Sequence, residues 1–137
     1  MPQSVLLDTC AVIWLAEGEV LANPAVEMLR TAAEQGAKTY VSPITAWEVG
    51  LLVARGRLNI YATPQRWFSE VLERGAQLAD MSPDLLIASS FLPGKAPRDP
   101  ADRIILATAR DLGATIVTRD RSLLDYGKQG HISVVKC

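Results

Sequence analysis

Four carboxylates stand among neighbours that argue for a joint role. Asp8 ends the apolar run Val5-Leu6-Leu7, and Asp120 follows a second run, Ile116-Val117-Thr118, with one residue between. Glu48 has Ile44 four residues before it and Leu51 and Leu52 three and four after it, which sets it in or beside the apolar stripe of a helix. Asp102 has Ile105 and Leu106 at the same offsets. Charged side chains are almost never fully buried unless paired or bound to a metal, so acids on such faces require partners. Brought to one place, four carboxylates repel, which raises their pKa values or recruits a cation. Hard oxygen ligands in this number suit Mg²⁺ or Mn²⁺. A cation there makes the cluster an electropositive centre for a phosphate.

Each acid also has a local reading. Asp8 or Thr9 can cap a helix, Asp99 is a good cap for the helix that follows it, and Asp102 in that helix's first turn suits its dipole. Glu48 can flank its stripe and reach solvent. Asp120 can cap the turn toward Leu123 and Leu124. The four together carry more weight than any one, because two strand ends and two helices are expected to meet at one edge of a sheet.

Other chemistries lack the residues they need. The only histidine, His131, rules out mechanisms built on a histidine pair or on zinc held by His-x-x-x-His. There is no GxGxxG, GxxxxGK or GxSxG motif. The 137 residues carry 14 basic and 15 acidic side chains, a net charge of −1, which gives no footprint for nucleic acid unless a metal changes the local charge. Cys10 and Cys137 form no CxxC or repeated framework, in keeping with reduced thiols and a cytoplasmic location. The longest apolar run, Cys10 to Ala16, is far short of a membrane span, and no secretory segment is expected.

The elements that must position the acids follow from period and punctuation. Strands are predicted at Ser4–Leu7, Thr39–Ser42, Ala76–Ala79, Ala114–Val117 and Ile132–Val135. Helices are predicted over Thr9–Ala16, from Asn23-Pro24 to Gly36, from Pro43 to near Gly56 with Ile44, Trp47, Leu51 and Leu52 inward, and over Gln65–Glu73. Two more start at Ser82-Pro83 and at Asp99-Pro100, the latter ending at Gly113. Pro93 to Pro97 is a loop. This alternation predicts a single-domain α/β/α sandwich over residues 1–137, with a mostly parallel sheet of about five strands. In open parallel sheets ligands bind beyond the carboxyl ends of the strands, where Asp8 and Asp120 lie.

Four segments carry a family resemblance. Leu-Leu-Asp8-Thr9, Ser42-Pro-Ile-Thr-Ala-Trp47-Glu48, Asp99-Pro-Ala-Asp102-Arg103-Ile-Ile-Leu-Ala-Thr-Ala and Val117-Thr118-Arg119-Asp120 resemble the four signatures of PIN domains, in order and over nearly the whole chain. The similarity is greatest to the VapC-type toxins of prokaryotic toxin–antitoxin pairs. It implies a PIN-like fold and an Mg²⁺- or Mn²⁺-dependent endoribonuclease whose metal-holding, catalytic quartet is Asp8, Glu48, Asp102 and Asp120. Thr9 and Thr118 match hydroxyl positions that orient carboxylates or a water at the metal, and Asp99 stands as a supporting residue. The resemblance further implies an RNA substrate, a cognate antitoxin, a homodimer, and a heterotetramer or larger assembly with the antitoxin. The helix Thr9–Ala16 and the two after it are candidate surfaces for such partners.

Arg98, Arg103, Arg119 and Arg121 lie within a residue or two of proposed acids and are candidate contacts to RNA phosphates, with ordinary ion pairing as the alternative. Trp14, Trp47 and Trp67 read as core, and His131 as a turn residue. Two other enzyme folds fit less well. An RNase H-like nuclease begins with antiparallel strands, and a receiver domain needs an acidic pair after its first strand. The non-enzymatic alternative is an α/β partner-binding module whose acids are caps and solvated charges.

Overall fold

The computed structural model describes residues 3–137. Its elements run β1 (Val5–Leu7), α1 (Thr9–Ala16), α2 (Asn23–Glu34), β2 (Thr39–Val41), α3 (Pro43–Ala54), α4 (Pro64–Glu73), β3 (Gln77–Leu78), α5 (Pro83–Ala88), α6 (Pro100–Leu112), β4 (Thr115–Thr118), α7 (Arg121–Gly127) and β5 (Val134–Lys136). The strands form a five-stranded sheet in the order β3-β2-β1-β4-β5, every pair parallel. Parallel neighbours need crossovers, and the helices supply them on both faces.

Side chains alternate across a strand, so each strand feeds two cores. Val5, Leu7, Val41 and Val117 face one layer, where they meet Ala11, Val12, Ala25, Val49 and Trp67 of α1 to α4. Leu6 and Ile116 face the other, where Ile105, Leu106, Leu123 and Tyr126 of α6 and α7 cover them. β1 is buried along its whole length, which explains its unbroken Val-Leu-Leu. The strand order reverses between β1 and β4, and this switch point is where a doubly wound sheet opens a crevice.

Several boundaries differ from the sequence reading. β5 starts two residues later than predicted and runs one residue further, to Lys136, while β4 extends to Thr118. The turn after Asp120 is a seven-residue helix, α7. On α3 the buried positions are Thr45 and Val49, not Trp47, which is 57% exposed. The reason is rotational: Thr45, Val49 and Val53 recur every four residues and face the sheet, whereas Trp47 lies half a turn away. Trp67 is buried as predicted, and Trp14 packs partly buried against the same layer.

Candidate active site

The four acids reach the carboxyl edge of the sheet by four routes. Asp8 leaves β1 as the N-cap of α1, its Oδ1 accepting from the Ala11 N–H at 2.8 Å. Its Oδ2 accepts from the hydroxyl of Thr118, the last residue of β4. That hydroxyl also accepts from the Asp120 N–H at 2.9 Å, so a single atom joins the first and last acids of the set. Asp120 caps α7, its Oδ1 accepting from the Leu123 N–H at 3.1 Å.

Glu48 projects from α3 toward α1, where its Oε1 accepts from the Thr9 hydroxyl at 2.5 Å. The Thr9 oxygen also lies 3.0 Å from the hydroxyl of Thr45, which is fully buried. Because the Thr9 proton is committed to Glu48, Thr45 is the donor in that second bond. The order Thr45 to Thr9 to Glu48 is a hydroxyl relay. Sequence reasoning identified Thr9 and Glu48 but missed Thr45. Its position one helical turn before Glu48 was the available signal.

Asp102 is held differently. It sits in the first turn of α6, whose N-cap Asp99 accepts from the Ala101 N–H at 2.8 Å and the Asp102 N–H at 3.3 Å. Among the described residues no hydrogen bond acts on the Asp102 carboxylate. Asp99 therefore fixes the backbone beneath Asp102 and leaves the acid itself unrestrained.

The electrostatics follow from this wiring. Burial, then the charges of Asp120, Asp99, Glu48 and Asp8, push the Asp102 carboxyl up to about 7. Asp8 is more deeply buried, and burial again dominates, but the Thr118 hydroxyl and Ala11 N–H pull against the charges of Asp120 and Glu48, giving about 6. Glu48 is also raised, chiefly by burial, with Thr9 lowering it and the charges of Asp99 and Asp120 raising it. Like charges within mutual reach and hard oxygen donors make this set suited to a divalent cation. Among the described residues no three acidic, thiol or imidazole side chains are already arranged around one ion. Mg²⁺ keeps several waters and takes only one or two carboxylates directly, so an open set fits it better than a closed cage.

The arginines separate into two groups. The Arg103 guanidinium donates to the carbonyls of Ser89 at 3.0 Å and Pro97 at 2.7 Å, with Ser90 at 3.5 Å, tying α6 to the end of α5. Arg119 donates to the Cys137 carbonyl at 2.5 Å and the Val20 carbonyl at 3.1 Å, and lies 3.4 Å over the Trp14 ring. Both donate to the chain's own backbone carbonyls. Arg98 and Arg121 are exposed.

The sequence profile of the PIN domain family matches residues 5–129. The chain belongs to that family. Within it, the chain is 31% identical to Ribonuclease VapC22 of Mycobacterium tuberculosis over 124 residues, 90% of this chain and 92% of the relative. The PIN fold superposes on VapBC2 from Rickettsia felis bound to a DNA fragment from their promoter, with a TM-score of 0.70 at 15% identity, covering 98% of this chain and 99% of that one. DNA-bound VapBC from Salmonella typhimurium gives 0.64 at 18% identity, covering 98% of both chains. At these identities the structural likeness is one of fold. Among the described residues no helix of this PIN domain is long and apolar enough to cross a membrane.

Proposed function

We propose that this chain is an Mg²⁺- or Mn²⁺-dependent endoribonuclease, a single PIN-like domain over residues 1–137 that acts in the cytoplasm as the toxin of a type II toxin–antitoxin pair. The observation that carries the reading is the convergence of Asp8, Glu48, Asp102 and Asp120 from four elements, close enough that the charge of Asp120 raises the pKa values of the other three. Membership in the PIN family and the similarity to Ribonuclease VapC22 support it.

In this mechanism Asp8, Glu48, Asp102 and Asp120 would hold the ion, which would supply charge neutralisation at the phosphodiester and a more acidic water for in-line attack. Asp8 is presented in one orientation, because both its oxygens have donors. Thr9 fixes one oxygen of Glu48 and leaves the other for a ligand. Asp102, whose carboxyl burial and neighbouring charges push up to about 7, would have to be ionised to take part in holding the ion. Water as nucleophile leaves a 5′-phosphate and a 3′-hydroxyl, without need of a histidine. The VapBC neighbours support a cognate antitoxin as partner, and the proposal includes a homodimer and a heterotetramer or larger assembly with that antitoxin.

The deciding experiment incubates the purified chain with a mixed cellular RNA pool, with Mn²⁺ or Mg²⁺, with chelator, and with Asp102→Asn as control. Metal-dependent cleavage that the substitution abolishes, with 5′-phosphate ends, is the expected result. Recovery of 2′,3′-cyclic phosphate ends overturns the mechanism. Absence of both cleavage and metal binding replaces the enzyme with the partner-binding module. Size exclusion at the monomer mass of 14.9 kDa refutes the homodimer.

A further inference from the structure

A chain with an acidic centre and no net positive charge needs some local surface that attracts a polyanion. One groove, of about 550 Å³, gathers cations on both its walls. Arg121, Leu124, Asp125 and Lys128 of the α7 segment line it at offsets of three, four and seven, a single helical face. Val134 and Lys136, two apart on β5, form the opposite wall, a single strand face. The two walls meet closely at Gly127, where an added Cβ would stand 2.8 Å from the Val134 side chain. Any larger residue there would force α7 away from β5 and splay the groove.

The charges are graded along it. Lys128 at one end is paired with Asp125 at 3.5 Å. Arg121 and Lys136 are exposed and, among the described residues, neither has a carboxylate partner. Both lie at the end nearest the acids. Arg121 follows Asp120 directly, and Lys136 is in register with Thr118, the residue whose hydroxyl holds Asp8.

We infer that this α7–β5 groove is a binding track for the sugar-phosphate backbone of a single-stranded RNA, with Arg121 and Lys136 holding phosphates next to the acidic centre. The inference rests on the ribonuclease reading and adds to it the path of the substrate. Two unpaired cations beside four repelling carboxylates give a polyanion one approach that the carboxylates do not oppose.

The test uses the cleavage-dead full chain, Asp102→Asn, and a fluorescently labelled single-stranded RNA of mixed sequence, titrated across a range of salt. Adding Arg121→Ala and Lys136→Ala should weaken binding by about tenfold and flatten the dependence of log affinity on log salt by roughly 1.4, the value for two lost phosphate contacts on a single strand. Lys38→Ala with Arg74→Ala, which removes the same charge from elsewhere on the surface, should leave both quantities unchanged. Equal losses from the two pairs would mean that net charge alone acts and would overturn the track. Unchanged binding in the groove variant, while the unsubstituted chain still cleaves RNA with Mn²⁺, overturns the track and spares the ribonuclease. Groove variants that lose binding to polyglutamate but keep RNA affinity would assign the groove to an acidic protein segment and also overturn it.

Discussion

The half of the cluster built on β1 and α3 is wired through hydroxyls, and the half built on α6 is not. Asp8 is almost completely buried yet is pushed up only to about 6, because Thr118 and Ala11 donate to it. Asp102 is less buried, has no donor among the described residues, and reaches about 7. Burial is the main cause of both shifts, and the donors are what hold Asp8 below Asp102 although it lies deeper. The wired half fixes geometry, while the bare half is poised to respond to a cation.

The contrast is sharpest in function. Asp102→Asn should reduce metal-dependent RNA cleavage by roughly a thousand-fold, the scale of losing a main electrostatic contact at the reacting centre. The same substitution should stabilise the metal-free chain at pH 8 by on the order of 1 kcal/mol, since it removes a destabilising charge that solvent only partly screens. Thermal melting checks this. A drop in melting temperature would show that Asp102 is a structural acid like the wired pair.

Acidity separates the halves further. Both aspartates hold protons more tightly in the folded chain than in the unfolded chain, where the value is 3.8. Their contribution to stability is complete below that value and is lost as pH rises through about 6 for Asp8 and about 7 for Asp102. The metal-free chain should therefore lose on the order of 3 kcal/mol from this source between about pH 4 and pH 8. Mn²⁺ should restore stability at the upper end and have little effect at the lower, where protons compete. Denaturant melts at both pH values, with and without Mn²⁺, test this, and equal Mn²⁺ effects would break the link between the acids and the ion.

Smaller effects probe the wiring itself. Thr118→Val keeps the volume but leaves the Asp120 N–H without its acceptor and the Asp8 Oδ2 without its donor, at a cost of about 1–3 kcal/mol. Urea unfolding reads it, and Thr118→Ser should recover most of the loss. Asp99→Ala removes the α6 cap and should cost about 1 kcal/mol. It should shift cleavage less than Asp102→Asn, because it acts only through the backbone beneath that acid.

How much of this was legible in the sequence depended on the range of the contact. Caps and strand ends are local, so Asp8, Asp99 and Asp120 could be placed from their neighbours alone, and the alternation of strands and helices led to the observed α/β/α layering. Residue contacts across the chain left no such trace. Arg119 finds the Val20 carbonyl 99 residues away, and nothing near Arg119 in the sequence indicates that partner. Trp47 fits an apolar stripe by spacing, yet the buried positions are Thr45 and Val49, because the helix is rotated so that this face, and not that of Trp47, meets the sheet. The α7 helix was too short for periodicity to reveal, though its cap was visible in Asp120.

The central place of β1 has a consequence for biosynthesis. The hydroxyl that holds Asp8 belongs to Thr118, 110 residues downstream, and the strand carrying it is a direct neighbour of β1 in the sheet. A nascent chain that has emerged only as far as α6 carries three of the four acids but lacks β4, and with it the donor that orients the first of them. The centre therefore cannot form before β4 has been made: no N-terminal segment ending at α6 can orient Asp8 as the folded chain does.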